Sequence, residues 1–179
     1  ESKDAPTANV VSEFPGGIWP QEHLVISAHH DTVFGSPGGN DNTSGVIAVL
    51  ETARIISELC QVTGLPPGRT IRFVTLAEEQ SLQGSAAYVA DNYTSGATEP
   101  PRLAINLDEL SAGSIKGLVL GFSHLPDLVQ EPFDAMGEGL ACHVLTNLAV
   151  GSDHFSFFRP GLDAAPVSRC AAPQTAPPP

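Results

Sequence analysis

One stretch constrains this chain more than any other: Ala28–Glu51, AHHDTVFGSPGGNDNTSGVIAVLE. It continues an apolar run, His23–Ser27 (HLVIS), that reads as a buried strand. It then crosses a Gly/Pro-rich loop at Gly35–Gly39 and enters an apolar helical pattern at Val46, Val49 and Leu50. His29, Asp31 and Asp41 therefore fall where a strand ends and a helix begins, the edge at which open α/β sheets bind ligands and metals. LAEEQ (Leu76–Gln80) and NLD (Asn106–Asp108) repeat the arrangement of a strand followed by acid. The pattern implies a metal site assembled from several strand ends.

The remaining elements follow the same alternation. Asn9–Phe14 is a strand closed by Pro15-Gly16-Gly17, and Ile18–Glu22 reads as a short connection to the strand His23–Ala28. A helix from Thr43 to Cys60 carries Val46, Val49, Leu50, Ala53, Ile56 and Leu59 at three- and four-residue spacing. Arg69–Leu76 is a β-branched strand stopping just before Glu78-Glu79, and Leu82–Asn92 a second helix. Strands at Leu103–Leu107, Gly117–Gly121, Cys142–Leu145 and Ala164–Ser168 follow, with a helix at Leu125–Glu138 and a loop or short helix at His154–Phe158. Strands alternating with helices predict a three-layer α/β/α sandwich around a mixed, largely parallel sheet. Residues 1–169 form one catalytic domain in this reading, and 170–179 an Ala/Pro-rich disordered tail.

Composition narrows the partners. With 20 acids against 8 bases the net charge is −12, which argues against nucleic acid or an anionic membrane surface. No apolar stretch reaches the length of a membrane helix, and the opening ESKDAPTAN leads to the expectation of no signal peptide, as in a mature or trimmed product, which leaves the compartment open. Cys60, Cys142 and Cys170 lack any CxxC spacing, which excludes a zinc–thiolate site and allows one disulfide at most. Converging carboxylates at Asp31, Asp41, Glu78, Glu79 and Asp108 would need cations, because like charges ~4 Å apart cost ~4 kcal/mol at an effective dielectric of ~20.

Each residue has a bland reading beside its chemical one. Glu78-Glu79 could be two solvated loop acids, and His29 a satisfied structural histidine. Asp41 could be the N-cap of the helix it precedes. Their setting favours chemistry. Neighbours on an extended chain point in different directions. Glu79 can thus ligate a metal while Glu78 serves as general base. His29 and Asp31 share a side of their strand, which makes Asp31 the group that orients a metal-bound His29 and leaves His30 a bystander. His23, His124 and His143 have no acidic or Gly-rich setting and read as surface or core residues.

Taken together, HxD, NDNxSG, EExxxxGS, NLD and SDH, in that order with helices between, resemble the co-catalytic zinc aminopeptidases of metallopeptidase family twenty-eight, which include aminopeptidase Y and the bacterial leucyl aminopeptidases. The resemblance runs from about Asn9 to Arg169. It implies two zinc ions: His29 and Asp108 on one, Glu79 and His154 on the other, and Asp41 bridging. Glu78 would shuttle the proton of a metal-bridging water, and Asp31 would support His29. It also implies a cis peptide at Asp41–Asn42, peptide substrates with a free N-terminus, and a secreted or periplasmic location. Family members run longer, with a His-Thr pair and a final helix after the last strand. Here Arg169 gives way to CAAPQTAPPP, so the fold is expected in a form shortened at both ends. The alternatives are a single-zinc glutaminyl cyclase and a non-catalytic binding domain on the same scaffold.

Overall fold

A computed structural model of the chain describes residues 6–96, 98–111, 116–119, 135, 142–145 and 151–169. Its elements run β1 (Val10–Phe14), β2 (Trp19–His29), α1 (Ser44–Thr63), β3 (Arg69–Leu76), α2 (Gln83–Val89), β4 (Leu103–Asp108), β5 (Lys116–Val119), β6 (Cys142–Leu145), α3 (His154–Phe158) and β7 (Ala164–Arg169). Wound turns at Gly39–Thr43, Glu79–Ser81 and Ala90–Thr94 lead into or out of the helices.

The seven strands form one sheet in the order β1-β3-β2-β4-β7-β5-β6. The central four, β3, β2, β4 and β7, are mutually parallel; β1 joins β3 and β5 joins β7 antiparallel, while β6 lies parallel to β5. The apolar run of β2 explains its central place, since a parallel strand between layers is buried on both faces. β1, exposed along most of its length, takes the edge beside β3.

Side-chain alternation sorts the core into two faces. Ile26 and Ala28 of β2, Ile71 and Phe73 of β3 and Leu107 of β4 meet Val46, Val49, Ala53 and Ile56 of α1. Val25, Val74, Leu76 and Ala104 point the other way, onto Tyr88 and Val89 of α2, Tyr93 of the turn after it, and Phe157 of α3. Helices thus cover both faces, and the sandwich has three layers. Full burial of a side chain the size of Phe157 or Leu76 contributes about 1.5–3 kcal/mol.

Several boundaries differ from the sequence pattern. β2 begins at Trp19, not His23, because its first residues pair at the sheet margin: Trp19 faces Arg69 and His23 faces Thr70, with a bulge between. Exposed edge pairing of this kind leaves no apolar period to read. Leu50 and Leu59, expected on the inner stripe of α1, are 61% and 59% exposed. His23 is a core residue, its Nε2 3.0 Å from the Tyr93 hydroxyl. His154–Phe158 is a short helix. Apart from residue 135, the helix expected at Leu125–Glu138 lies outside the described residues, as does the tail 170–179.

Candidate metal centre

Three strands deliver the site. His29 ends β2 and faces Leu76, the last residue of β3; Glu79 follows three residues later, and Asp108 ends β4. Ser27 pairs with Asn106, so each chain reaches the sheet edge two residues on. As a result, one donor atom each from His29, Glu79 and Asp108 lies within 4.8 Å of the other two. His29 and Glu79 are buried, 1% and 7% exposed.

Asp41 arrives by a loop. Thr32 Oγ1 donates to the Asp41 carbonyl at 2.9 Å, closing residues 32–41 on themselves. Asp41 Oδ1 then stands 3.1 Å from His29 Nε2. The peptide bond Asp41–Asn42 is cis. Capping of α1 falls to Asn42, whose Oδ1 accepts from Gly45 N–H at 3.0 Å while its Nδ2 donates to the Leu107 carbonyl at 2.9 Å. That leaves the Asp41 carboxylate beside His29.

Asp31 works in two directions. Its backbone carbonyl accepts from His29 Nδ1 at 3.0 Å, with the carboxylate 3.5 Å from the same nitrogen. That bond fixes the tautomer and turns Nε2 toward Asp41 and Asp108. The carboxylate of Asp31 accepts from Glu79 N–H at 3.1 and 3.2 Å. Asp31 thus fixes both His29 and the backbone of Glu79. Glu78 is half-buried at φ 55, a left-handed conformation uncommon outside glycine, and borders a cleft of about 220 Å³ that neither His29, Asp41, Glu79 nor Asp108 lines. His30 is exposed.

His154 opens α3 and is 6% exposed; its charge helps to hold the Asp108 carboxyl down, but it does not join the three-donor group. Sequence reasoning passed over the groups beside it. Ser152 Oγ donates to Asp108 Oδ2 at 2.7 Å and accepts from Asn106 Nδ2 at 2.9 Å, and Ser27 Oγ donates to Asn106 Oδ1 at 3.0 Å. Asp153 is fully buried, and neither carboxylate oxygen has a hydrogen-bond partner among the described residues. Asn106 and Ser152-Asp153 stood inside the NLD and SDH motifs, so the signal was present but unassigned.

The electrostatics are those of a site built around positive charge. Burial opposes the His29 imidazolium, yet the hydrogen bond and charge of Asp108, with Glu79 and Asp153, outweigh it and raise His29 to about 9. Burial pushes the Glu79 carboxyl up to about 7, with the charges of Asp153, Asp108 and Asp41 adding to it and His29 opposing. Burial likewise raises Asp153 to about 6. Asp108 is held below its ordinary value: burial works against the anion, and the bonds from His29 and Ser152 prevail. A proton on His29 thus neutralises carboxylates that a divalent cation would neutralise better. One imidazole and several carboxylates without thiolate form a donor set that suits a catalytic zinc.

The family model described as Peptidase family M28 matches residues 9–177. The chain belongs to peptidase family M28. Aminopeptidase YwaD of Bacillus subtilis is 31% identical over 156 residues, covering 84% of this chain and 33% of the relative. The structure of BSAP, a zinc aminopeptidase from Bacillus subtilis, superposes with a TM-score of 0.71 at 26% identity, covering 90% of this chain and 39% of that one. A glutaminyl cyclase from an Acidobacteriales bacterium shares the fold, with a TM-score of 0.74 at 20% identity over 94% of this chain and 60% of that one. This M28 chain spans about a third of YwaD's length and about two fifths of BSAP's.

Proposed function

We propose that this chain carries the catalytic centre of a zinc-dependent aminopeptidase that removes N-terminal residues from peptides. The observation that carries the reading is the convergence of His29, Glu79 and Asp108 from three strand ends, with Asp41 against His29. Two zinc ions would be held here, one by His29 and Asp108 and the other by Glu79 and His154, with Asp41 serving both. The second ion requires Asp41 and His154 to lie beside Glu79. Zinc held there supplies Lewis acidity that polarises the scissile carbonyl and lowers the pKa of water.

The protein's own groups do the rest. Glu78, next to the ligand Glu79 but on a backbone turned into the left-handed region, takes the proton of the attacking water and returns it to the leaving amine. Asp31 holds the Glu79 backbone and, through its carbonyl, the His29 ring. The surrounding carboxylates attract a free α-ammonium group, which limits attack to the first peptide bond. The same reading puts the enzyme outside the cytoplasm, secreted or periplasmic, which fractionation of the host organism checks.

The test is Glu78→Gln in the zinc-loaded chain. Zinc content should stay at the wild-type level while hydrolysis of aminoacyl anilides is lost; unchanged hydrolysis would remove Glu78 from its role. A second reading, a single-zinc glutaminyl cyclase, is favoured by one observation: the described donors form one three-residue group. One zinc per chain together with cyclisation of N-terminal glutamine, and no release of anilide, would select it.

A further inference from the structure

Asn9 lies just ahead of β1, and no motif includes it. Its carboxamide nevertheless reaches two backbone groups that flank the acidic pair. Oδ1 accepts from Ala77 N–H at 3.0 Å, and Nδ2 donates to the Gly84 carbonyl at 2.8 Å. Ala77 is 2% exposed and lies beyond the β1–β3 ladder, whose last pair on that side is Val10 with Thr75. A buried N–H in that position needs an acceptor, and the Gly84 carbonyl needs a donor. A carboxamide supplies both, and from two separate atoms, so that one side chain reaches backbone groups seven residues apart.

The segment between these anchors holds two non-glycine residues in the left-handed region. Glu78 stands at φ 55, ψ 47 and Leu82 at φ 55, ψ 19, conformations that persist where the surroundings over-determine them. Three contacts do this. The Asp31 carboxylate takes the Glu79 N–H from the inner side. Gly84 comes so close to the Ala77 carbonyl that a Cβ would stand 1.9 Å from its oxygen. Asn9 ties the two ends together from the outer side, and it alone comes from outside the motifs. Asn9, Ala77, Glu78, Gln83 and Gly84 share the walls of the 220 Å³ cleft. Among the described residues the Glu78 carboxylate has no hydrogen-bond partner. The point from which its side chain departs is set by the backbone, and the backbone by the clamp.

We propose that Asn9 is a positioning residue for the Glu78–Glu79 turn, aiming the carboxylate of Glu78 by cross-linking the end of β3 to the start of α2. Its catalytic consequence rests on the reading of Glu78 as general base given above. Asn9→Ala removes both bonds. Asn9→Asp keeps the acceptor for Ala77 N–H and loses the donor to Gly84.

The experiment compares both variants with wild type in the zinc-loaded 179-residue chain. It reads amide hydrogen exchange at Ala77 and Glu79, zinc bound per chain, and the pH dependence of kcat on aminoacyl anilides. For Asn9→Ala, exchange at Ala77 should quicken about tenfold or more while β2 amides keep their protection. Zinc content should hold, kcat should fall about 10- to 100-fold with KM within about threefold, and the acid limb of the pH profile should move. Asn9→Asp should regain protection at Ala77 and part of kcat. An Asn9→Ala variant with unchanged kcat and pH profile overturns the proposal. So does one that loses kcat, zinc and β2 protection together, because that marks a purely structural residue. If the wild type turns over no anilide, the aminopeptidase reading fails separately. The exchange measurement still decides the clamp: faster exchange at Ala77 and Glu79 in Asn9→Ala supports it, and unchanged exchange overturns it.

Discussion

At Gly84 the fold leaves no room for a side chain. An added Cβ would lie 1.9 Å from the Ala77 carbonyl oxygen, and at Gly45 one would meet both Asn42 Oδ1 and the Leu107 carbonyl at 2.4 Å. Both glycines belong to motifs read from the sequence, and their role is close approach: one shuts the turn behind Glu79, the other lets α1 lie against the Asn42 cap. Gly84→Ala and Gly45→Ala should each destabilise by roughly 1–3 kcal/mol or more, measured by urea denaturation. A cost within experimental error would mean that the turn relaxes freely. Titration of the cluster gives a second prediction. Glu79 and Asp153, raised to about 7 and 6, and His29, raised to about 9, all hold protons more tightly when folded. Stability therefore falls as pH rises, from about 4.5 through 7 for Glu79. The contribution of His29 is complete below 6.5 and lost as pH rises through 9. His23, lowered by burial and by Arg72, pulls the other way near pH 6.5. Metal-free protein should thus lose on the order of 3 kcal/mol between pH 5 and 9. His29→Asn should flatten the upper part of that slope. A chelator-treated protein whose urea midpoint climbs with pH over this range would contradict the assignment.

Among the elements, α1 shows how far local pattern carries. Its length and its inward Val46, Val49, Ala53 and Ile56 follow from three- and four-residue spacing. The width of its buried stripe does not. Leu50 and Leu59 fit the period and are largely exposed, because the sheet beneath meets only one side of the helix. Leu50→Lys and Leu59→Lys should change stability by no more than about 0.5 kcal/mol. Val49→Ala, at a 2% exposed position, should cost roughly 1.5–3 kcal/mol. Equal costs on the two sides would show that something covers the outer face. The ends of β2 differ in the same way. The apolar half was legible, while Trp19–Glu22 pairs as strand through Arg69 and Thr70 at a margin that leaves no period.

Across the whole molecule, the centre exists because β3, β2 and β4 are parallel neighbours, so their carboxyl ends meet on one edge. Zinc that binds the folded chain alone should stabilise it by about 2.7 kcal/mol at a free concentration a hundred times its Kd, and chelation should reverse the gain. No shift in the urea midpoint on adding zinc would remove the metal centre. The sequence by itself determined the alternation of strands and helices, the donor types, and the placing of each donor just past an apolar run. These are local properties, carried by side-chain period and turn chemistry. Only the tertiary structure decided which donors meet. His29 and Asp108 are 79 residues apart, Asn9 and Gly84 are 75, and Ser152 and Asp108 are 44. Such contacts depend on strand order and register, which no run of neighbouring residues encodes. For that reason Asp41, Glu79 and Asp108 could be picked out as candidates from the chain alone, whereas the Asn9 bonds and the Ser27–Asn106–Ser152 hydrogen bonds behind Asp108 could not.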